Sequence, residues 1–191
     1  MWFGKNFATL RGLVGKVERR RCGMRVFSKW NNCGIISKRQ KNKVEGIDIM
    51  EKLSKEAEAI MIERFGKDSI IALATTVGGT PYVRNVNAFY SDGAFYVLTY
   101  GLSNKMKQIE KNPIVALAGD WFTAHGKGVN LGYFGKEENK DIAEKMRVTF
   151  SEWIDNGHNN FDDVNTCILC IELMDGLLLS HGTRYEIDFS R

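Results

Sequence analysis

PYVRNVNAFYSDGAFYVLTYGLSNKMKQIEKNP, residues 81–113 of a 191-residue chain, decides the fold. Residues 81–90 read as a strand, rich in aromatic and β-branched side chains. Ser91-Asp92-Gly93 is a tight-turn signal, and residues 94–100 read as the returning strand of a hairpin. Residues 102–111 then read as a short helix with Ser103 near its N-terminus, and Asn112-Pro113 stops it.

Working outward, residues 50–65 carry Leu53, Ala57, Ile60, Met61 and Phe65 at spacings of three and four, so a helix is expected with Gly66 at its C-cap. Residues 69–75 form a short apolar strand ahead of Gly78-Gly79. Downstream, residues 114–119 read as a strand. Residues 121–134 are long and Gly-rich, either two strands or one bulged strand. Residues 137–154 are an amphipathic helix lined by Ile142, Met146, Phe150, Trp153 and Ile154. The chain finishes with strands over 166–173 and 177–189 around an expected turn at Asp175-Gly176. This order belongs to an α+β barrel, not to an alternating βαβ sheet. No Gly-rich dinucleotide fingerprint follows a strand and opens a helix.

The hairpin hands over to the helix through Ser103-Asn104-Lys105. A helix start offers free N–H groups and the positive end of a dipole, which together suit a phosphate. Ser103 adds a hydroxyl, Lys105 a charge, and Arg84 on the neighbouring strand a planar fork. The plainer alternative is a capping serine with two solvated cations. Asn85 and Asn87 share one strand face, open either to a polar ligand or to solvent.

A strand with Arg, an Asp-Gly turn, a strand ending in Thr, then Ser-x-Lys and Asn-Pro before another strand resembles the FMN-binding split barrels related to pyridoxamine 5′-phosphate oxidase, in their general-stress-protein-like branch. The resemblance covers residues 50–190 in element order and is most specific over 70–120. It implies a six-stranded antiparallel Greek-key split barrel with flanking helices, a homodimer, and FMN at the subunit interface. It further implies that Arg84, Ser103 and Lys105 hold the FMN phosphate, that Asn85, Val86 and Asn87 run along the flavin ring, and that Thr99 and Tyr100 line the ribityl chain. Trp121 and His125 fall near the dimer interface and the partner's flavin. Asn104 stands where the oxidase has arginine, and Phe89 where it has a substrate-binding lysine. The segment 180–185, SHGTRY, is only weakly similar to the oxidase tail, through Arg184. The implied activity is that of an FMN-dependent oxidoreductase on a small molecule. The alternatives are a flavin-binding sensor without turnover, or a heme or deazaflavin binder. No general acid or other catalytic residue is assigned.

The three histidines, His125, His158 and His181, lie on separate elements without metal-ligand spacing, so no metal site is expected. Cys167 and Cys170 on a strand point to opposite faces and cannot easily chelate or bridge. With no disulfide framework, a cytoplasmic protein with reduced thiols is expected.

Charge is uneven. Residues 1–49, including Cys22 and Cys33, hold 12 Lys/Arg against 3 Asp/Glu, whereas residues 50–191 hold 15 against 20. The mildly acidic body argues against nucleic acid as the main partner, and no apolar run is long enough for a membrane span. Residues 1–49 are expected to be a basic leader, disordered or translated ahead of a true start at Met50. The purine-rich codons that Lys43-Val44-Glu45-Gly46 permits support that start. A targeting segment or a basic arm for RNA or a membrane surface are the alternatives.

Overall fold

The computed structural model describes Glu51–Phe189. The expectations for residues 1–49 lie outside the described residues. The elements in order are β1 (Glu51–Lys52), α1 (Lys55–Phe65), β2 (Ser69–Val77), β3 (Thr80–Ser91), β4 (Ala94–Tyr100), α2 (Asn104–Lys111), β5 (Ile114–Gly119), β6 (Phe122–Tyr133), α3 (Lys140–Thr149), β7 (Thr166–Ser180) and β8 (Thr183–Asp188).

Strands β2 to β7 close a six-stranded antiparallel barrel. Around it the order is β7-β4-β3-β2-β5-β6, and β6 pairs back onto β7. The barrel is split at one seam. β3 pairs with β2 from Thr80 to Ala88, but meets β4 only where Phe89–Ser91 face Ala94–Tyr96. Beyond that the two strands part, and β4 continues along β7 as far as Tyr100–Thr166.

Most strand limits agree with the sequence pattern. The β3–β4 turn runs through Asp92 and Gly93, both at positive φ (54° and 79°). The segment 121–134 is one strand, bulged where its register on β7 shifts at His125/Gly126 and again at Asn130/Gly132.

Two expectations are corrected. Asp175-Gly176 is no turn. It lies inside β7, because that strand is paired on both edges, to β6 and to β8. Room is tight at Gly176: a Cβ would lie 3.0 Å from the Phe122 and Phe189 rings, which would have to give way. The reversal instead falls at His181-Gly182, both at positive φ (47° and 78°). The second correction concerns the helices. The first starts only at Lys55, since Ser54 caps it by accepting from the Ala57 N–H at 3.1 Å, and Glu51–Lys52 pair in parallel with Ile187–Asp188. The last is a 3-10 turn, Glu137–Asn139, followed by α3. The side chain of Asn139 is buried and donates to the carbonyls of Leu131 and Tyr133, tying the start of α3 to the end of β6.

Two cores result. Inward side chains of all six barrel strands pack with Ala57, Met61 and Phe65 of α1 and with Met106 and Ile109 of α2. A second cluster forms where α3 lies over β3, β4 and β7 through Phe89, Met146, Phe150 and Ile168. Burying one such side chain contributes roughly 1.5–3 kcal/mol. Among the described residues no helix is long and apolar enough to cross a membrane.

Candidate anion-binding mouth of the barrel

Where β3 and β4 separate, the inward positions change character. Leu73, Val86 and Val97 are core residues. Two steps further along each strand, on the same face, come Thr75, Arg84 and Thr99. Cys167 faces Thr99 across the β4–β7 pair. The polar positions therefore collect at one end of the barrel, and α2 starts beside them.

Arg84 is held in place by its neighbours. Its Nη1 donates to Thr75 Oγ1 at 2.7 Å and to the Leu73 carbonyl at 3.3 Å, and its Nη2 donates to Gln108 Oε1 at 2.8 Å. The Thr75 hydroxyl in turn donates to Gln108 Oε1 at 2.6 Å. All of these partners are neutral. Among the described residues neither Arg84 nor Lys105 forms an ion pair. Burial pulls the Arg84 guanidinium below its ordinary value. Lys105 is also lowered, first by burial and then by the charge of Arg84. Two cations thus press on each other in a half-buried place with no acid between them, an arrangement that folding alone does not favour.

Hydroxyls at the same place lack partners. Thr99 Oγ1 and Ser103 Oγ are fully buried and make no hydrogen bond. Ser103 sits at the N-cap of α2, yet its side chain does not cap, and the first turn carries no acid to offset the helix dipole. Buried polar atoms normally find a partner, so each orphan calls for one. A phosphomonoester supplies what is missing: negative charge for Arg84 and Lys105, and acceptor oxygens for both hydroxyls and the α2 N–H groups.

No protein-family model matches the chain, and no curated protein does. Solved structures do match. A proposed pyridoxamine 5′-phosphate oxidase from Listeria innocua is similar over 69% of this chain and 100% of its own, at 13% identity and a TM-score of 0.51. A heme binding protein from Mycobacterium smegmatis matches over 73% of this chain and 60% of its own, at 13% identity and a TM-score of 0.52. General stress protein 26 from Bacillus anthracis matches over 62% and 90%, at 18% identity and a TM-score of 0.49.

The chain has the split-barrel fold of the pyridoxamine 5′-phosphate oxidase-like proteins.

Within this split barrel the sequence-predicted residues separate into groups. Arg84 and Lys105 sense each other's charge at the mouth, Thr99 lies across the β4–β7 pair from Cys167, which senses Lys105, and Ser103 is the N-cap of the helix that carries Lys105. Tyr100 and Asn104 stand beside them on the exposed side. Val86 points into the core. Asn85 and Asn87 share a face, as their spacing requires, and that face is exposed; Asn87 Nδ2 donates to Asp68 Oδ1 at 3.0 Å. Trp121 is 69% exposed and lies at the other end of the barrel, in the β5–β6 turn at φ 51°. Phe89 is 3% exposed and stacks on Tyr96 under α3, so it is a packing residue of the second core.

Thr75 and Gln108 were not legible as site residues. Gln108 lies three residues after Lys105, on the same helix face, which is the only signal the sequence offered. Cys167 belongs to the barrel core, while Cys170 falls on the opposite face with its thiol pushed up to about 11, chiefly by burial. Among the described residues no cluster of His, Cys, Asp and Glu could hold a metal ion.

Proposed function

We propose that the chain is an FMN-binding flavoprotein, acting as a cytoplasmic homodimeric oxidoreductase on a small molecule. One observation carries this reading: the mouth gathers two cations without a counter-charge and two buried hydroxyls without a partner, at the start of a helix. Arg84, Lys105, Ser103 and Thr99 would hold the phosphate, with Thr75 and Gln108 fixing the guanidinium. Bound there, FMN supplies two-electron redox chemistry, and the protein supplies position and electrostatics.

The homodimer is supported by an uncovered face. On the outside of β2, β3 and β5, Ile70, Val83 and Ile114 are 68%, 67% and 46% exposed. Between them Ala72, Ala74, Ala116 and Ala118 lie side by side through the strand register, giving a flat floor of small residues. A face of this kind suits a second copy of the chain.

A heme reading draws on the fold shared with the mycobacterial protein. It has less support at the mouth, where no histidine stands among the described residues. The visible spectrum of the purified full-length chain separates the readings. Flavin absorption that is lost in the Arg84→Ala, Lys105→Ala double variant supports the proposal. A Soret band, or flavin content unchanged in that variant, overturns it. Reduction by NADH or NADPH above the rate of free FMN then distinguishes an oxidoreductase from a binding or sensing protein.

A further inference from the structure

Between α1 and α3 lies a hollow of about 630 Å³, floored by the end of β3 and the turn at Asp92. Helical spacing builds both walls. Glu58 and Ile62 stand one turn apart on α1, and Asp141, Glu144, Lys145 and Val148 share one face of α3. The floor is made by Phe89 and Tyr90, both buried.

The two helices flank this hollow without filling it. Ile62 and Val148, one from each wall, are 53% and 78% exposed. Two aliphatic side chains over a concave aromatic floor suit an apolar body laid between them.

The charge around the hollow is one-sided. Four carboxylates, Glu58, Asp92, Asp141 and Glu144, stand against one cation, Lys145. Lys145 Nζ is turned to the floor, 3.8 Å from Asp92 Oδ2, which also accepts from the Ser91 hydroxyl at 2.7 Å. Glu58 is fixed from below: its Oε2 accepts from the buried Tyr90 hydroxyl at 2.6 Å. The second carboxylate oxygen is not used by that contact. Among the described residues Glu58, Asp141 and Glu144 form no ion pair.

Helix dipoles account for part of this. Glu58 and Asp141 lie in the first turns of α1 and α3, where an acid is favoured. They do not account for Glu144 or for the two uncovered aliphatic side chains. Among the described residues no group of acids could hold a metal ion, so an organic cation is the better complement.

We propose that this hollow binds a small organic amine, with Glu58 taking the protonated nitrogen and Ile62 and Val148 enclosing an apolar body. Its volume falls within the roughly 300–1,000 Å³ of small-molecule sites. The site shares no residue with the anion-binding mouth, whose cations repel such a ligand, and it does not depend on the flavin reading.

The test is isothermal titration of the full-length chain at low salt, where charge contacts are least screened. Phenethylammonium chloride is the probe. Phenethyl alcohol supplies the body without the charge, and methylammonium chloride the charge without the body. Phenethylammonium should saturate the site, and each control should bind about tenfold more weakly or worse. Glu58→Gln keeps an acceptor for Tyr90 and removes the charge, so phenethylammonium affinity should fall about tenfold, as expected for one charge-assisted contact. Val148→Lys changes an exposed helix position and brings a competing ammonium to the hollow, so it should abolish binding even if Glu58→Gln does not fold. Flavin content should be unchanged in both variants. No saturation by phenethylammonium overturns the proposal, as does affinity unchanged in either variant. Equal binding of the alcohol or of methylammonium also overturns it, leaving an apolar cleft or a bare cation site.

Discussion

The two ends of the barrel solve the same problem differently. At the end nearest α1, Phe65, Tyr90, Phe95 and Phe122 fill the interior, with ring centroids 5.6–6.1 Å apart in three edge-on or tilted contacts about Phe95. The one polar group among them, the Tyr90 hydroxyl, donates to Glu58 at 2.6 Å. At the α2 end the inward positions are Thr75, Arg84 and Thr99, and two hydroxyls and two cations there have less than they need. The first end is finished by its own sequence. The second is finished only by something that brings negative charge, which is why the functional reading starts there.

The largest expected effect comes from breaking the unfinished end. Arg84→Ala with Lys105→Ala removes two charge-assisted contacts of roughly 1.5–3 kcal/mol each, so FMN affinity measured by fluorescence titration should fall by several kcal/mol. The thermal stability of the flavin-free protein should not fall in parallel, because the cations repel each other. A matching loss of stability would make the mouth a structural feature instead.

Breaking the finished end should do the reverse. Phe95→Ala empties a fully buried ring site, and a cavity of that kind costs about 3–5 kcal/mol in unfolding experiments. If the protein still folds, its anion affinity at the mouth should be little changed, since the Phe95 ring packs on Phe65, Tyr90 and Phe122 whereas Arg84 is held by Leu73, Thr75 and Gln108.

A smaller effect sharpens the contrast. Thr99→Val and Ser103→Ala delete hydroxyls that are buried and unpaired, a condition costing roughly 1–3 kcal/mol per group. Without ligand these variants should match or exceed the parent in denaturant midpoint. With FMN they should bind more weakly, by about 0.5–1.5 kcal/mol per hydroxyl. A hydroxyl whose removal destabilises the ligand-free chain would have a partner in solution.

The same contrast explains what could be read from the sequence. The closed end was legible as pattern: alternation in β3 and β4, the Asp92-Gly93 turn, and Met61 and Phe65 on one helix face all follow from local rules. Half of the mouth was legible too, because Ser103, Lys105 and a nearby arginine form a local signal at a helix start. Thr75 and Gln108 were hidden, since their meaning arises only when the β2–β3 register and the docking of α2 bring them to Arg84. Asp175-Gly176 misled for the same reason. Locally it is a turn signal, but pairing on both edges holds it straight, and His181, an unusual turn residue, takes the left-handed position. His125 and Asp175 lie 50 residues apart and meet only through barrel closure and a one-residue bulge.

The smallest effect is a pH slope, and its sign discriminates. The folded value of Lys105 lies below its ordinary 10.5. Between the two, the unfolded chain holds more proton than the folded one, so this lysine makes stability rise with pH. Cys167, Cys170 and Tyr90 act oppositely. Burial raises all three, so the unfolded chain releases their protons first and stability falls as pH climbs past about 9–10. The total slope therefore mixes both signs, and the useful quantity is the difference between the parent and Lys105→Met. In phosphate-free buffer near neutral pH, calorimetry should find the variant as stable as the parent or more so, because a like charge beside Arg84 is gone. From about pH 8 to about pH 10 the variant should lose stability faster, lacking a group that opposes the thiols and the tyrosine. Adding phosphate at neutral pH should raise the parent's melting temperature more than the variant's. Identical slopes, with no differential effect of phosphate, would mean that Lys105 extends into solvent and that the mouth has only one cation to offer.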